Sequence, residues 1–129
     1  MFEKLEIFRM AHAMAKHAGA RQAIVARNMA NADTPGYAAR DIAPFAETFK
    51  GGQIQFAPRQ TRAGHIGENA AGYAVQTRER ATGVTDPNGN SVSLETEMLK
   101  AVDVKRQHDR AISIYKSSLT ILRAATGRR

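Results

Sequence analysis

Apolar residues recur at helical spacing near the beginning of the chain. Residues 1–31 contain no proline and a single glycine, Gly19, and helix-favouring Ala, Met, Arg, Lys and Gln dominate. An apolar stripe with steps of three, four or seven positions runs along this segment: Ile7, Ala11, Met14, Ala18, Val25 and Ala32. Arg21 and Asn28 occupy the two positions at which the stripe is interrupted. The heptad-like stripe predicts a helix whose alanines let a partner helix approach closely.

A second periodic segment occupies residues 92–129, with a helix expected from about residue 92 to 126. Ser93 is a suitable N-cap, Glu95 and Glu97 put negative charge in the first turn, and Gly127 offers a stop. Two stripes run side by side: Met98, Ala101, Lys105, His108, Ile112, Tyr115, Leu119, Leu122 and Thr126, and Val104, Ala111, Ile114, Ile121 and Ala125. Two stripes indicate more than one neighbour, because an isolated hairpin needs only one.

The middle segment, residues 32–91, holds all four prolines and most of the glycines. Its pattern predicts one short helix with a closing glycine pair: Ile42, Phe45, Phe49, Gly51 and Gly52. Two extended pieces and one Asp-Pro-Asn-Gly-Asn turn complete the expected elements: residues 54–56, 73–77 and 86–90. The fold class predicted is therefore mainly α, with long N- and C-terminal helices pairing as a coiled-coil-like hairpin around an irregular segment with short β pieces.

Large apolar groups are scarce. The hydrophobic fraction is 43%, but much of it is alanine, aromatic residues make up 6%, and a 129-residue chain has an unfavourable ratio of surface to volume. We therefore expect the stripes to be shared with neighbouring subunits in a self-associating assembly, so that folding is coupled to assembly. The expected assembly interface consists of Ile7, Met14, Val25, Met98, Ile112, Tyr115, Leu119 and Leu122.

The net charge of +7 favours a polyanionic partner, so a small basic helical nucleic-acid-binding protein is the alternative interpretation. The charges are scattered, however, and the aromatic residues are not interleaved with Lys and Arg as a stacking platform requires. Solvated helix faces and a basic tail explain the charge more simply. Nucleic acid is therefore not the expected partner.

The sequence lacks the patterns of an enzyme or a metal protein. The absence of cysteine excludes disulfides, thiolate ligands and Cys nucleophiles. His12 and His17 are five positions apart, whereas two metal ligands on one helix face are four apart. Glu95 and Glu97 are explained by the helix start. We expect no catalytic residue, no metal and no cofactor.

Residues 1–20 do not form the apolar core of a cleavable signal peptide, because charges interrupt them: Glu3, Lys4, Glu6 and Arg9. No stretch approaches the roughly 18 apolar residues that a membrane span needs, so stable membrane insertion is not expected. A third interpretation is that Phe2, Leu5 and Phe8 form one face that lies on a membrane surface.

The run NMANADTPGY at residues 28–37 ends the first helix and reverses or kinks the chain. Asn31 suits the left-handed conformation at a helix end. Residues 34–37, Thr-Pro-Gly-Tyr, place Pro and Gly at the central positions of a type II turn, and Tyr37 adds a large side chain with a polar tip. By its chemistry alone the run is one helix stop among many.

The same run resembles the shared motif of the flagellar axial proteins (rod, hook and hook-associated subunits), N-[I/L]-A-N-x-x-T-P-G-[Y/F]. Every fixed position is matched, by Asn28, Ala30, Asn31, Thr34, Pro35, Gly36 and Tyr37. The chain is most similar to the short proximal rod proteins of the FlgB type, in its length, its uninterrupted Thr-Pro-Gly-Tyr run and its residues 39–42 and 90–98. The resemblance covers both ends of the chain.

The resemblance implies a structural subunit of the proximal rod of the flagellar basal body, and no enzyme. Its terminal helices would pack into the inner wall of a tubular polymer while the middle segment faces outward. The subunit would leave the cytoplasm by flagellar type III export, without a cleaved signal peptide, and reach the rod in the periplasmic space. The implied partners are other rod subunits, the basal-body adaptor protein and the export-gate proteins, and the implied task is to link them and transmit torque.

Overall fold

The structure is a computed structural model that describes residues 2–49, 77–79 and 85–127. Its elements are helix α1 (Phe2–Ala30), strand β1 (Arg40–Ile42), helix α2 (Phe45–Thr48), strand β2 (Thr77–Glu79) and helix α3 (Leu94–Ala125). The predicted mainly helical fold with long helices at both ends and a short β piece between them is confirmed. Among the described helices, none has the length and apolar character needed to cross a membrane.

The two long helices pack side by side and run antiparallel. Asn28, near the end of α1, hydrogen-bonds to Glu97, near the start of α3. At the other end of the hairpin, the ring of Phe8 lies edge-on to the ring of Tyr115, with 5.2 Å between centroids. The expected coiled-coil-like hairpin is therefore present within a single chain.

Small side chains form the seam between the helices. On α1 the buried apolar residues are Ala11, Ala18 and Val25, seven positions apart, and on α3 the buried residues Val104 and Ala111 have the same spacing. A seven-residue period is that of helices that keep one face against a partner. Alanine at these positions lets the two backbones approach closely, so the seam is narrow and buries little apolar volume.

The predicted N-cap and C-terminal stop of α3 are confirmed, whereas the conformation predicted for Asn31 at the end of α1 is wrong. The Ser93 hydroxyl accepts a hydrogen bond from the Thr96 N–H at 3.4 Å, and Gly127 has a φ of +65°. Asn31 does not adopt the expected left-handed conformation. Its side-chain Nδ2 instead donates to the carbonyl oxygen of Arg27 at 2.7 Å, which satisfies a terminal helix carbonyl without a positive φ.

The short helix of the middle segment is smaller than predicted. Ile42 lies in β1, which pairs antiparallel with β2 in the register Arg40 with Glu79 and Ile42 with Thr77. The helix begins only after Pro44, which has an extended ψ of 145°. Gly51, Gly52 and residues 54–56 lie outside the described residues, as do residues 73–76 of the second extended piece and the side chains of Phe2 and Leu5.

We predict that Ala18→Leu destabilises the hairpin by about 1–3 kcal/mol, because a larger side chain in the narrow seam forces the helices apart. Ala26→Leu is the matched control, since Ala26 is exposed on the same helix. Urea unfolding followed by circular dichroism measures both variants. Equal stabilities for the two would show that the seam is not closely packed at Ala18.

Candidate functional site

The motif at residues 28–37 folds into a tight turn directly after α1. The Tyr37 N–H donates to the Thr34 carbonyl oxygen at 3.3 Å, and Gly36 has a φ of +71°. This is the geometry of a type II turn, in which the third residue needs a positive φ. A Cβ added to Gly36 would meet no atom within 4 Å, so the glycine is required by backbone conformation and not by space.

A second turn, at residues 86–90, packs directly against the first. The Gly89 N–H donates to the Asp86 carbonyl oxygen at 2.8 Å, as the Asp-Pro-Asn-Gly-Asn run predicts. The Gly36 N–H in turn donates to the Asn88 carbonyl oxygen at 3.0 Å. The backbones come so close that a Cβ on Gly89 would lie 3.4 Å from the Gly36 Cα. Two turns separated by a long stretch of sequence thus form one unit.

Asn90 fastens this unit together, and the sequence analysis missed its role. The side chain is buried, and its Nδ2 lies 3.0, 2.7 and 2.9 Å from the carbonyl oxygens of Asn31, Ala32 and Thr34. Its Oδ1 accepts from the Val92 N–H at 2.7 Å. We call residues 28–37 and 86–92 together the joint. The sequence predicted that Asn90 lies in a turn, but no neighbouring residue indicated which carbonyl groups its side chain binds.

Asn28 is the buried centre of the joint, with 0% exposure. Its Nδ2 donates to the Arg40 carbonyl oxygen at 2.7 Å and to Glu97 Oε2 at 3.1 Å. Its Oδ1 accepts from the Arg40 N–H at 3.2 Å and from the Tyr37 hydroxyl at 3.3 Å. The amide therefore pairs with both backbone groups of Arg40, as a neighbouring strand would, and holds β1 against α1.

A buried charge cluster, made of Arg21, Asp41, Glu97 and Lys100, extends from Asn28. Arg21 binds Asp41 with two hydrogen bonds, Nε to Oδ1 at 3.0 Å and Nη2 to Oδ2 at 3.3 Å. Lys100 Nζ lies 3.8 Å from Asp41 Oδ2 and forms an ion pair with Glu97. The four side chains are between 2% and 16% exposed, and their charges balance, so α1, β1 and α3 meet in a neutral polar contact.

Glu97 therefore does more than the helix-start role assigned from sequence. It is buried, and it connects α3 to both Asn28 and Lys100. A signal was present: Arg21 and Asn28 interrupt the apolar stripe of the first helix at positions that should face a partner. Polar residues at such positions require polar partners on the facing helix.

The charge cluster determines the ionisation of Asp41. Burial raises the pKa of this carboxyl, but the hydrogen bonds from Arg21 and the Ile42 N–H and the charges of Arg21 and Lys100 outweigh it. The net result is a pKa below the ordinary value of 3.8. The folded state thus favours the charged form of Asp41 more strongly than the unfolded chain does.

His17 packs against the start of the middle segment, which gives it a structural role. It is buried, its Nε2 lies 2.8 Å from the Ala43 carbonyl oxygen, and its ring meets Phe45 edge-on at 5.6 Å between centroids. His12, by contrast, is exposed. Across residues 2–49, 77–79 and 85–127, no three His, Asp or Glu side chains gather as a metal ion would need.

Most residues expected at an assembly interface lie on the surface of the single chain. Five of them are between 37% and 50% exposed: Ile7, Met98, Ile112, Tyr115 and Leu122. Met14 and Leu119 are half-buried. Val25 is buried in the chain's own core, so in this conformation it is not available to another subunit.

We predict that the stability of the protein falls on acidification below about pH 4, as Asp41 is protonated. Because its pKa is lower in the folded state, its contribution is complete above its ordinary pKa of 3.8 and is lost as the pH falls through the folded-state value. At pH 7, Asp41→Asn should cost about 3 kcal/mol, because Arg21 and Lys100 lose a buried partner.

The measurement is urea unfolding of wild type and Asp41→Asn at several pH values, where the difference should shrink below about pH 4. Asp109→Asn is the control, since Asp109 pairs with Lys105 at 3.2 Å but is exposed, and its loss should cost less than about 1 kcal/mol. A difference for Asp41→Asn that stays constant down to low pH would contradict the assignment.

The chain matches the family of flagella basal body rod proteins over residues 15–37, which include α1 from Ala15 onward and the first turn of the joint. It is 33% identical over 119 residues to the flagellar basal body rod protein FlgB of Agrobacterium fabrum, covering 89% of this chain and 88% of that protein. It is also 33% identical over 107 residues to the FlgB protein of Salmonella typhimurium, covering 77% of each. The nucleic-acid-binding alternative has no support from these relatives. With this identity over nearly its whole length, the chain belongs to the FlgB family of flagellar basal body rod proteins.

Proposed function

We propose that this structural subunit of the flagellar basal body rod polymerises in the proximal rod through apolar faces that a single chain leaves uncovered. One observation carries the proposal: Met98, Ile112, Tyr115 and Leu122 stay 37–50% exposed although α1 already packs along α3. A row of large apolar side chains in water is typical of a surface that binds protein.

Part of the uncovered row lies on a different side of α3 from the seam. Met98 and Ile112 follow the buried residues Glu97 and Ala111 by one position, which is about 100° around a helix. Tyr115 and Leu122, by contrast, lie within about 40° of Ala111, and Tyr115 contacts Phe8 of α1. Another subunit can therefore pack against the side of Met98 and Ile112 without displacing α1, which supports the two-neighbour interpretation of the two stripes.

The joint supports a mechanical role. Its turns are tied together by backbone hydrogen bonds and by Asn90, and each buried side-chain nitrogen and oxygen in the described part of the chain has a hydrogen-bond partner. A fully satisfied polar network of this kind resists bending. We therefore assign the joint the task of holding the described start of the middle segment, residues 32–49, in a fixed position against α1, so that torque passes from one to the other.

The proposed setting follows from the family and the sequence. The subunit is expected to contact other rod subunits, the basal-body adaptor protein and the export-gate proteins, and to reach the periplasmic rod by flagellar type III export without cleavage. Its action is mechanical and not enzymatic.

Part of the positive charge on α3 is neutralised within the helix. Lys105 Nζ lies 3.2 Å from Asp109 Oδ2, and Arg106 Nη1 lies 3.9 Å from Asp103 Oδ1.

We predict that Gly36→Val prevents rod assembly, because a β-branched residue at a φ of +71° strains the joint by about 2 kcal/mol. Gly19→Val is the matched control: Gly19 is helical and exposed, and a Cβ there meets no atom within 4 Å. Swimming and isolation of basal bodies from complemented null strains measure the effect. Normal motility with Gly36→Val would exclude the proposed role of the turn.

We predict that Leu119→Asp leaves the isolated chain folded but abolishes assembly, because it places a charge between Tyr115 and Leu122 of the proposed interface. Ser117→Asp is the control, since Ser117 is exposed about half a turn away on the opposite side of α3. Circular dichroism measures folding, and the yield of basal bodies measures assembly. If the Leu119→Asp strain swims as well as the Ser117→Asp strain, the row is not an interface.

A further inference from the structure

We propose that Glu97 and Lys100 determine the register in which α1 and α3 pair, and that they contribute more to this specificity than to stability. Within the single chain, the seam between α1 and α3 is nearly repetitive. Along the described side chains of these helices, the buried charge cluster occurs at one level of the seam.

The apolar seam does not define one register. Its buried residues, Ala11, Ala18 and Val25 on α1 and Val104 and Ala111 on α3, repeat every seven positions. A shift of α3 by seven residues, about 10 Å along the axis, would put Ala111 in the place of Val104 and Ser118 in the place of Ala111. A shift in the other direction would put Val104 in the place of Ala111 and Glu97 in the place of Val104. The first shift exchanges only small side chains, so hydrophobic burial alone leaves that register close in free energy.

The buried charge cluster distinguishes the registers. In the observed register, Glu97 Oε2 accepts from Asn28 Nδ2 at 3.1 Å, and Lys100 Nζ lies 3.8 Å from Asp41 Oδ2. A shift of seven residues in either direction would separate both contacts by about 10 Å, and in one direction it would place Glu97 at the position of Val104, beside small apolar side chains. A buried carboxylate without its donors is strongly unfavourable, which excludes the shifted pairings.

Contacts at both ends of the hairpin are rival determinants of register. The rings of Phe8 and Tyr115 meet at the far end. At the near end, Asn90 binds the turn that follows α1, and two backbone hydrogen bonds, Gly36 N–H to the Asn88 carbonyl oxygen and Ser91 N–H to the Tyr37 carbonyl oxygen, tie the start of α3 to that turn. None of these contacts is altered when Glu97 and Lys100 are replaced. Replacement of those two residues therefore tests their role separately from that of the rivals.

The test variant is the full chain with Glu97→Met and Lys100→Met. These changes remove a pair from α3 while Asn28 keeps its hydrogen bonds to Arg40 and Tyr37. The chain has no cysteine, so cysteines introduced at the exposed positions Ala26 and Lys116 can carry nitroxide labels without background. Pulsed electron paramagnetic resonance then gives the distance between the helices along their axes.

We expect wild type to give one distance, and the Met variant to retain its helical circular dichroism while showing a second distance displaced by about 10 Å. Lys105→Met with Asp109→Met is the control, because it removes an exposed ion pair from the same helix and should keep the single distance. A folded Met variant with only the wild-type distance would overturn the proposal in favour of the rival contacts. Loss of helicity would also overturn it, since the pair would then be needed for stability.

Discussion

The amide of Asn28 is buried where water cannot reach it, so both of its hydrogens and its oxygen need partners inside the protein. Those partners belong to three parts of the chain: the backbone of Arg40, the hydroxyl of Tyr37 and the carboxylate of Glu97. Each must stand in one place for the amide to be satisfied. The end of α1, the turn, β1 and the start of α3 therefore take their relative positions from a single side chain.

This reliance on directional contacts follows from the scarcity of large apolar groups. A seam of alanine and valine brings the helices together but offers few shapes that interlock. Hydrogen bonds in the joint and ion pairs in the buried charge cluster supply the geometric definition that a larger core would provide in another protein. Larger apolar side chains, such as Tyr115 and Leu122, remain 44% and 37% exposed in the single chain.

The sequence was informative wherever the cause of a structure is local. Ser93, Gly36 and Gly127 act through their own conformation or a neighbour's N–H, and their roles could be predicted. Asn31 could end the helix either with a left-handed backbone conformation or with a side-chain hydrogen bond to a terminal carbonyl, and the structure shows the second, which was not the one expected. The partners of Asn90 and Glu97 could not be identified, because they lie as far as 59 and 69 positions away. The prediction that Ile42 belongs to the short helix was wrong for the same reason. Asn28 binds the backbone of Arg40 from 12 positions away, and Ile42 pairs with Thr77 in the strand that follows, so the helix begins only after Pro44.

The contacts between α1 and α3 link residues that are far apart in the sequence, and this has a kinetic consequence. Local turns and isolated helical stretches can form early, but the contact between Asn28 and Glu97 closes a loop of 69 positions. Folds dominated by such distant contacts have a high contact order and form slowly, since loop closure must precede the stabilising contacts. A chain with this topology cannot complete its hairpin until both helical segments are present, so neither long helix has its partner while only one of them has emerged.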